Sequence, residues 1–303
     1  MPNWLPLLLA LFATMPTARA EIVVHDDTGR LVRLAAPARR IVSLAPSITE
    51  NLYAAGAGRY LVGAVDFSDY PEAAKKLPRV GDSSRLDLEA IVATKPDLLI
   101  AWGSGNPAAY LAKLKALGLP LFISEPRRLE DIATSIERFG ELAGTTAVAI
   151  PAARGFRARL EAMRARYAGR PAVKSFYQIW NQPLVTVGGE QLIGAAMRLC
   201  GAENIFARLP QLAPTVSVEA VLAADPEAIV ASGADESRPQ WLDMWKRWRD
   251  LTATARGNLF FIPPDLISRP TPRILDGIGL LCRQMETARK RRPATGPGQA
   301  GTK

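Results

Sequence analysis

LDLEAIVATKPDLLIAWG (residues 86–103) and VSVEAVLAADPEAIVASG (residues 216–233) align without a gap at a constant offset of 130 (219 − 89). Each copy reads as a short helix carrying Glu-Ala, a turn built on Pro-Asp or Pro-Glu, and an apolar strand. A repeat with one copy in each half of the chain predicts two lobes of a single design. Between the copies lies TTAVAIPAARGFRARLEAMRARYA (residues 145–168). There Phe156, Leu160, Met163 and Tyr167 recur at helical spacing, and arginines fill much of the remaining surface. Thr145 or Thr146 is a candidate cap, Gly169 and Pro171 mark the stop, and Pro151 offers a second possible start. This segment is the beam: an N-terminal lobe over 21–144, a connecting helix over 145–168 and a C-terminal lobe over 169–288.

Working outward, strands and helices alternate in both halves. RIVSLAP (40–46), YLVGAV (60–65) and LPLFIS (119–124) read as strands, and 130–143 as a helix with Ile132, Ile136, Phe139 and Leu142 on one face. Ser47 is the candidate N-cap of SITENLYAAG, with Glu50 at the capping-box position. In the second half, VKSFYQIW (173–180) and residues 259–262 read as strands, LVTVGGEQLIGAAMRLCG (184–201) as strand, turn and helix, and 272–289 as the closing helix. Residues 240–256 read as one helix whose Trp241, Trp245 and Trp248 form a core stripe, and 21–37 as a hairpin turning at Asp26-Asp27-Thr28-Gly29. The alternation predicts an α/β protein: two Rossmann-like lobes with mainly parallel sheets. Ligands of such sheets bind at the carboxyl ends of the strands, here facing one another across a cleft between the lobes.

MPNWLPLLLALFATMPTARA (1–20) has an apolar core and ends in Ala18-Arg19-Ala20, the pattern of a cleaved secretory signal peptide. The mature chain then starts near Glu21 and is exported. The net charge of +9 overstates the basicity of the folded body. Arg19 leaves with the signal, and Arg289, Lys290, Arg291, Arg292 and Lys303 fall in an acid-free stretch, 289–303, that reads as a disordered, solvated tail. No nucleic-acid partner follows from it. Cys200 and Cys282 are the two cysteines, an even number that fits one disulfide in an oxidising compartment, with two buried thiols as the alternative.

Several chemistries are missing. His25 is the one histidine, which argues against a His-rich metal site and against Ser-His-Asp or Cys-His catalysis. GxSxG, the P-loop and GxGxxG are absent. The expectation is therefore a binding protein and not an enzyme, with no catalytic residue, no bound metal and no prosthetic group.

RIVSLAPSITENLYAAG, VDFSDYPEAAKKLPRVGD and the first repeat copy resemble the first lobe of the periplasmic cobalamin-binding proteins; LCGAENIF and TPRILDGIGLLC resemble the second. These belong to the helical-backbone class of substrate-binding proteins, which feed ABC importers of cobalamin, iron–siderophores and haem. The resemblance covers nearly all of residues 39–283, and the contexts of the cysteine pair point to the cobalamin branch. It implies a corrinoid, cobalamin or cobinamide, carried as transported ligand between the lobes of a monomer. Phe67 stands at the family's aromatic position against the corrin, and Asp265 and Arg269 at its two polar positions. Trp102 and Trp180 end strands on the cleft side and add aromatic walls. Glu89 and Glu219 match the carboxylates that dock on a permease dimer in the inner membrane. Two tryptophans of well-known members are replaced here by Ser83 and Ala213. The rivals are an iron–siderophore, with Arg269, Arg85 and Arg273 as anion contacts, haem, with Tyr70 as axial candidate, and a periplasmic enzyme on the same scaffold.

Overall fold

In the computed structural model, residues 21–233 and 237–293 are described; the expected signal peptide (1–20) and residues 294–303 of the expected tail lie outside them. In chain order the first half contains β1 (Ile22–His25), β2 (Leu31–Leu34), β3 (Ile41–Ser43), α1 (Pro46–Ala54), β4 (Leu61–Ala64), α2 (Leu88–Ala93), β5 (Leu98–Trp102), α3 (Ala108–Ala116), β6 (Leu121–Ser124) and α4 (Leu129–Ala143). After α5 (Thr146–Tyr167) come β7 (Val173–Gln178), β8 (Trp180–Asn181), β9 (Leu184–Val185), α6 (Leu192–Leu199), β10 (Ala202–Asn204), α7 (Val218–Ala224), β11 (Ala228–Ala231), α8 (Thr252–Ala255), β12 (Leu259–Phe261), α9 (Pro264–Ile267) and α10 (Ile274–Lys290).

Two four-stranded parallel sheets result, ordered β4-β3-β5-β6 and β10-β7-β11-β12. Counted from the first strand of each sheet, both orders are 2-1-3-4, so the repeat in sequence is a repeat in topology. It extends to single residues. Asp87 caps α2 by accepting from the Ala90 N–H, and Ser217 caps α7 from the Ala220 N–H. Lys95 and Asp225, again one offset apart, both sit in the left-handed region (φ 48° and 42°) just before the prolines. The acids after those prolines brace the start of β3 and β7, the first strand of each parallel sheet: Asp97 accepts from the N–H groups of Arg39 and Arg40, and Glu227 from that of Lys174.

Helix α5 runs from Thr146 through Pro151, so the start at Pro151 is not used. Thr145 does not cap with its side chain; its hydroxyl donates to Ala55 O at 2.7 Å. Close approach brings the last turn of α4 against the first turn of α5, since a Cβ on Gly140 would fall 2.2 Å from that of Ala149. Phe156, Leu160 and Tyr167 are buried in one continuous apolar cluster with Ile132 and Phe139 of the first lobe and Tyr177, Met197 and Ile278 of the second. Full burial of such side chains contributes about 1.5–3 kcal/mol each. The surrounding ion pairs, Arg157–Glu137, Arg164–Glu130 and Arg159–Asp276, are part-exposed and contribute at most about 1 kcal/mol each. The apolar stripe therefore contributes more to holding the joint than the ion pairs do. Among the described residues no helix is long and apolar enough to cross a membrane.

Three local expectations need correction. Ala45, not Ser47, is the N-cap of α1, and Glu50 is turned away from any capping role into the lobe interface. Residues 240–256 are not one helix: tight 3-10 turns over Gln240–Arg247 give way to α8, whose first turn is tied by Asp225 to the N–H and hydroxyl of Thr252. Trp245 is fully buried there, donating to Gln178 Oε1 at 2.8 Å, with Trp241 and Trp248 partly buried beside it. The stretch expected to be disordered from 289 is ordered at its start. Helix α10 reaches Lys290, Arg291 donates to Gly257 O, and Arg292 makes two 2.8 Å bonds to Glu227, because a loop carbonyl and a carboxylate supply partners for these arginines.

The cysteines are joined: Cys200 at the end of α6 and Cys282 in α10 form a disulfide with a Cα–Cα distance of 4.6 Å. It pins α6 to the closing helix of the second lobe.

Candidate functional site

Phe67 follows β4 at the carboxyl edge of the first sheet. Its neighbours are tightly held: Arg79 donates to Val65 O and Ser68 O, and the Ser68 hydroxyl accepts from Thr49. Phe67 itself sits at φ 62° and is 73% exposed. A bulky residue held in the left-handed region, with its ring in solvent, is strained and unburied at once, the combination found where a side chain is presented to a ligand.

Trp102 ends β5 at the same edge and is 40% exposed. Its N–H donates to Asn106 Oδ1, and the buried Asn106 amide donates to Leu44 O and Ser83 O, so one side chain ties three loops of the carboxyl edge together. The indole lies across Gly105, where a Cβ would come within 1.8 Å of the ring. Trp180 follows β7 in the small β8–β9 hairpin, is 41% exposed, and donates from Nε1 to Gln182 O. Three exposed aromatics thus stand at strand carboxyl ends of both lobes. Ser83 is partly buried and Ala213 exposed.

Asp265, in α9, and Arg269, just after it, belong to a cluster of charges bridging the lobes. Arg269 Nη2 lies 2.7 Å from Asp265 Oδ1, and its Nη1 lies 3.1 Å from Glu50 Oε1 and 3.3 Å from Asp69 Oδ1. Arg273 forks onto Glu50 through Nε at 2.8 Å and Nη2 at 2.7 Å, and its guanidinium stacks 4.0 Å over the Tyr70 ring. Asn51 adds a bond from its amide to Pro270 O at 2.9 Å. Burial, together with Asp69 and Glu50, holds the Asp265 carboxyl above the usual carboxylate range against the opposing pull of Arg269 and Arg273. The pair with Glu50 raises Arg273. Because Asp69 and Tyr70 lie beside Phe67 in the chain, the aromatic loop of one lobe meets the polar loop of the other. Among the described residues no hydrogen bond, ion pair or ring contact joins Trp102 or Trp180 to this group.

Glu50, Asn51, Asp69 and the role of Arg273 are what sequence reasoning missed. The available signal was a carboxylate between Ile48 and Leu52 in a helix flanked by buried apolar residues, where a charge needs a partner.

A separate pocket of about 680 Å³ opens between the lobes beside α5, lined by Arg127, Arg128, Glu130, Arg164, Glu190 and Arg198. It contains none of the aromatics above. Glu89 and Glu219 are exposed in the first turns of α2 and α7, and neither carboxylate has a hydrogen-bond or ion-pair partner among the described residues. Among those residues no group of three or more His, Cys, Asp or Glu is placed to hold a metal ion.

With this geometry in place, comparison with known proteins is informative. The sequence model of the family described as "Periplasmic binding protein" matches residues 41–266. The Vitamin B12-binding protein of Vibrio campbellii is 40% identical over 257 residues, 84% of this chain and 92% of the relative. The crystal structure of the periplasmic Vitamin B12 binding protein BtuF of Vibrio cholerae superposes with a TM-score of 0.78 at 37% identity, covering 84% of this chain and 99% of that one. The periplasmic heme-binding protein RhuT from Roseiflexus, with a TM-score of 0.72 at 24% identity over 82% of this chain and 99% of its own, shares the fold.

Proposed function

We propose, since this chain belongs to the periplasmic binding protein family, that it captures a corrinoid, cobalamin or cobinamide, and hands it to an ABC importer. The observation that carries this reading is the set of exposed aromatics, Phe67, Trp102 and Trp180, at strand carboxyl ends of both lobes. A flat, largely apolar macrocycle gains from such walls, and a few polar groups orient its periphery. Arg269 and Asp265 supply them. Two of the three candidate arginines for an anionic siderophore, Arg269 and Arg273, are already paired with carboxylates, and the third, Arg85, is exposed at the surface. Tyr70, the candidate for haem, has its ring stacked under Arg273.

Binding is capture without chemistry, with no prosthetic group: the corrinoid is cargo. The protein acts as a monomer in the periplasm, exported through the segment 1–20. Glu89 and Glu219, at matching positions of the two lobes, dock on the two halves of a permease dimer, where two fixed carboxylates meet one basic patch presented twice. The test is the cargo itself. Protein purified from cells grown with cobalamin should retain about one cobalt per chain by elemental analysis; iron in its place, with no cobalt, would overturn the ligand assignment.

A further inference from the structure

Each sheet has two edge strands, and the two ends of the interlobe cleft lie where those edges face one another. At one end the loop after β4 meets the loop after β12, and Asp69 and Tyr70 join Arg269 and Arg273 there. The opposite sheet edges are β6 and β10. At that end the pocket of about 680 Å³ opens, with Arg127 and Arg128 just after β6 on one wall and α6, which leads into β10, on the other. Small-molecule sites typically enclose about 300–1,000 Å³. The pocket adjoins the aromatic part of the cleft. Trp102 pairs in register with Ser124, and Arg127, three residues on, lies at most about 11 Å from Ser124.

The arginines of this pocket are not equivalent. Arg128 is held by Asp131, and Arg164 by Glu130 and Glu161. Arg127 and Arg198, one from each lobe, have no carboxylate partner among the described residues. The Arg127 guanidinium makes no hydrogen bond there, and that of Arg198 donates to Gly189 O at 2.6 Å. Both side chains are exposed. Glu190, also exposed, is the one acid of the lining that no cation pairs among the described residues.

Resting on the corrinoid reading above, we propose that this pocket takes the nucleotide tail of a complete cobalamin, with Arg127 and Arg198 donating to its phosphodiester from opposite lobes, so that cobalamin is preferred to cobinamide as cargo. The corrin periphery carries neutral amides. The tail adds a benzimidazole ribotide joined through a phosphodiester, which is an anion, and cobinamide ends before that phosphate. Of the two ends of the cleft, one is occupied by the ion cluster, and the other has both room and unpaired donors. A guanidinium matches phosphate oxygens in charge and in geometry. Glu190 opposes the anion and limits the gain.

Titration calorimetry with cyanocobalamin and with dicyanocobinamide tests this. The unsubstituted protein should bind cyanocobalamin about tenfold more tightly, the effect of one charge-assisted bond. In Arg127→Gln and in Arg198→Gln that preference should fall by about threefold or more, with cobinamide affinity held within about twofold. An unchanged ratio in either variant overturns the proposal, and so does an equal weakening of both ligands, which marks a structural role. If Arg198→Gln does not fold, Arg127→Gln decides, since the Arg127 side chain holds no other group among the described residues. Equal affinity of the unsubstituted protein for the two ligands overturns the tail site and leaves the corrinoid reading standing. Failure to bind either ligand overturns the corrinoid reading, and the tail site with it.

Discussion

Replacing Phe67 by glycine should make the protein slightly more stable and a worse binder. The phenylalanine is at φ 62° and 73% exposed. The left-handed conformation costs a side-chain-bearing residue about 1–2 kcal/mol. Glycine removes that cost and gives back about 0.5–1 kcal/mol through the greater freedom of its unfolded chain. The net gain is about 0.5–1 kcal/mol, a rise of about 2 °C in melting temperature for a chain of this size. Binding goes the other way. A phenylalanine can bury roughly 200 Å², so 73% exposure leaves about 150 Å² open, and a flat ligand lying on one face would cover half of it. At about 25 cal/mol per Å² that loss is roughly 2 kcal/mol, or about 30-fold in dissociation constant. Differential scanning calorimetry and titration with cyanocobalamin read the two effects separately. Unchanged affinity would show that the ring is not a ligand contact, and a lower melting temperature would show that it packs in the fold.

Reversing both carboxylates proposed for docking, Glu89→Lys with Glu219→Lys, should abolish corrinoid uptake by whole cells while cyanocobalamin affinity stays within about twofold, because both side chains are exposed and unpaired among the described residues; a lost affinity would place them in the ligand site. Replacing Cys200 and Cys282 by serine opens a closure of 82 residues and should cost about 4–5 kcal/mol, seen as a fall of about 10 °C or more in melting temperature; a change under 3 °C would contradict it. Arg292, with Arg256 beside it, holds the Glu227 carboxyl below its usual value of 4.5, so this group's stabilisation is complete above that pH and lost as pH falls through the depressed value. Glu227→Gln should lose about 1–2 kcal/mol at pH 7 and show a flatter stability curve below pH 4.5; an acid limb as steep as before would refute the assignment.

The sequence displays the architecture because the repeat is local. Each copy carries its own cap, its own Pro-acid turn and its own apolar strand, and these select the same 2-1-3-4 sheet in both lobes. The beam was legible because Phe156, Leu160 and Tyr167 announce a buried stripe by spacing alone. Glu50 was not. At position 50, three residues after Ser47, a glutamate matches a capping box; what claims it instead is a pair of arginines 219 and 223 residues away. Local pattern cannot weigh a partner that only the folded lobes bring near. The same reason explains the tail: Arg291 and Arg292 look solvated in sequence and find Gly257 and Glu227 only after the second lobe closes. The presentation of Phe67 was legible only through family resemblance, since its left-handed backbone is imposed by Arg79 and Ser68 around it.

Calorimetric titration of the purified, ligand-free protein with cyanocobalamin, run beside a ferric siderophore, tests the central claim most directly. The account predicts saturable one-to-one binding of the corrinoid and none of the siderophore. Binding of the siderophore with no heat from cyanocobalamin would contradict it.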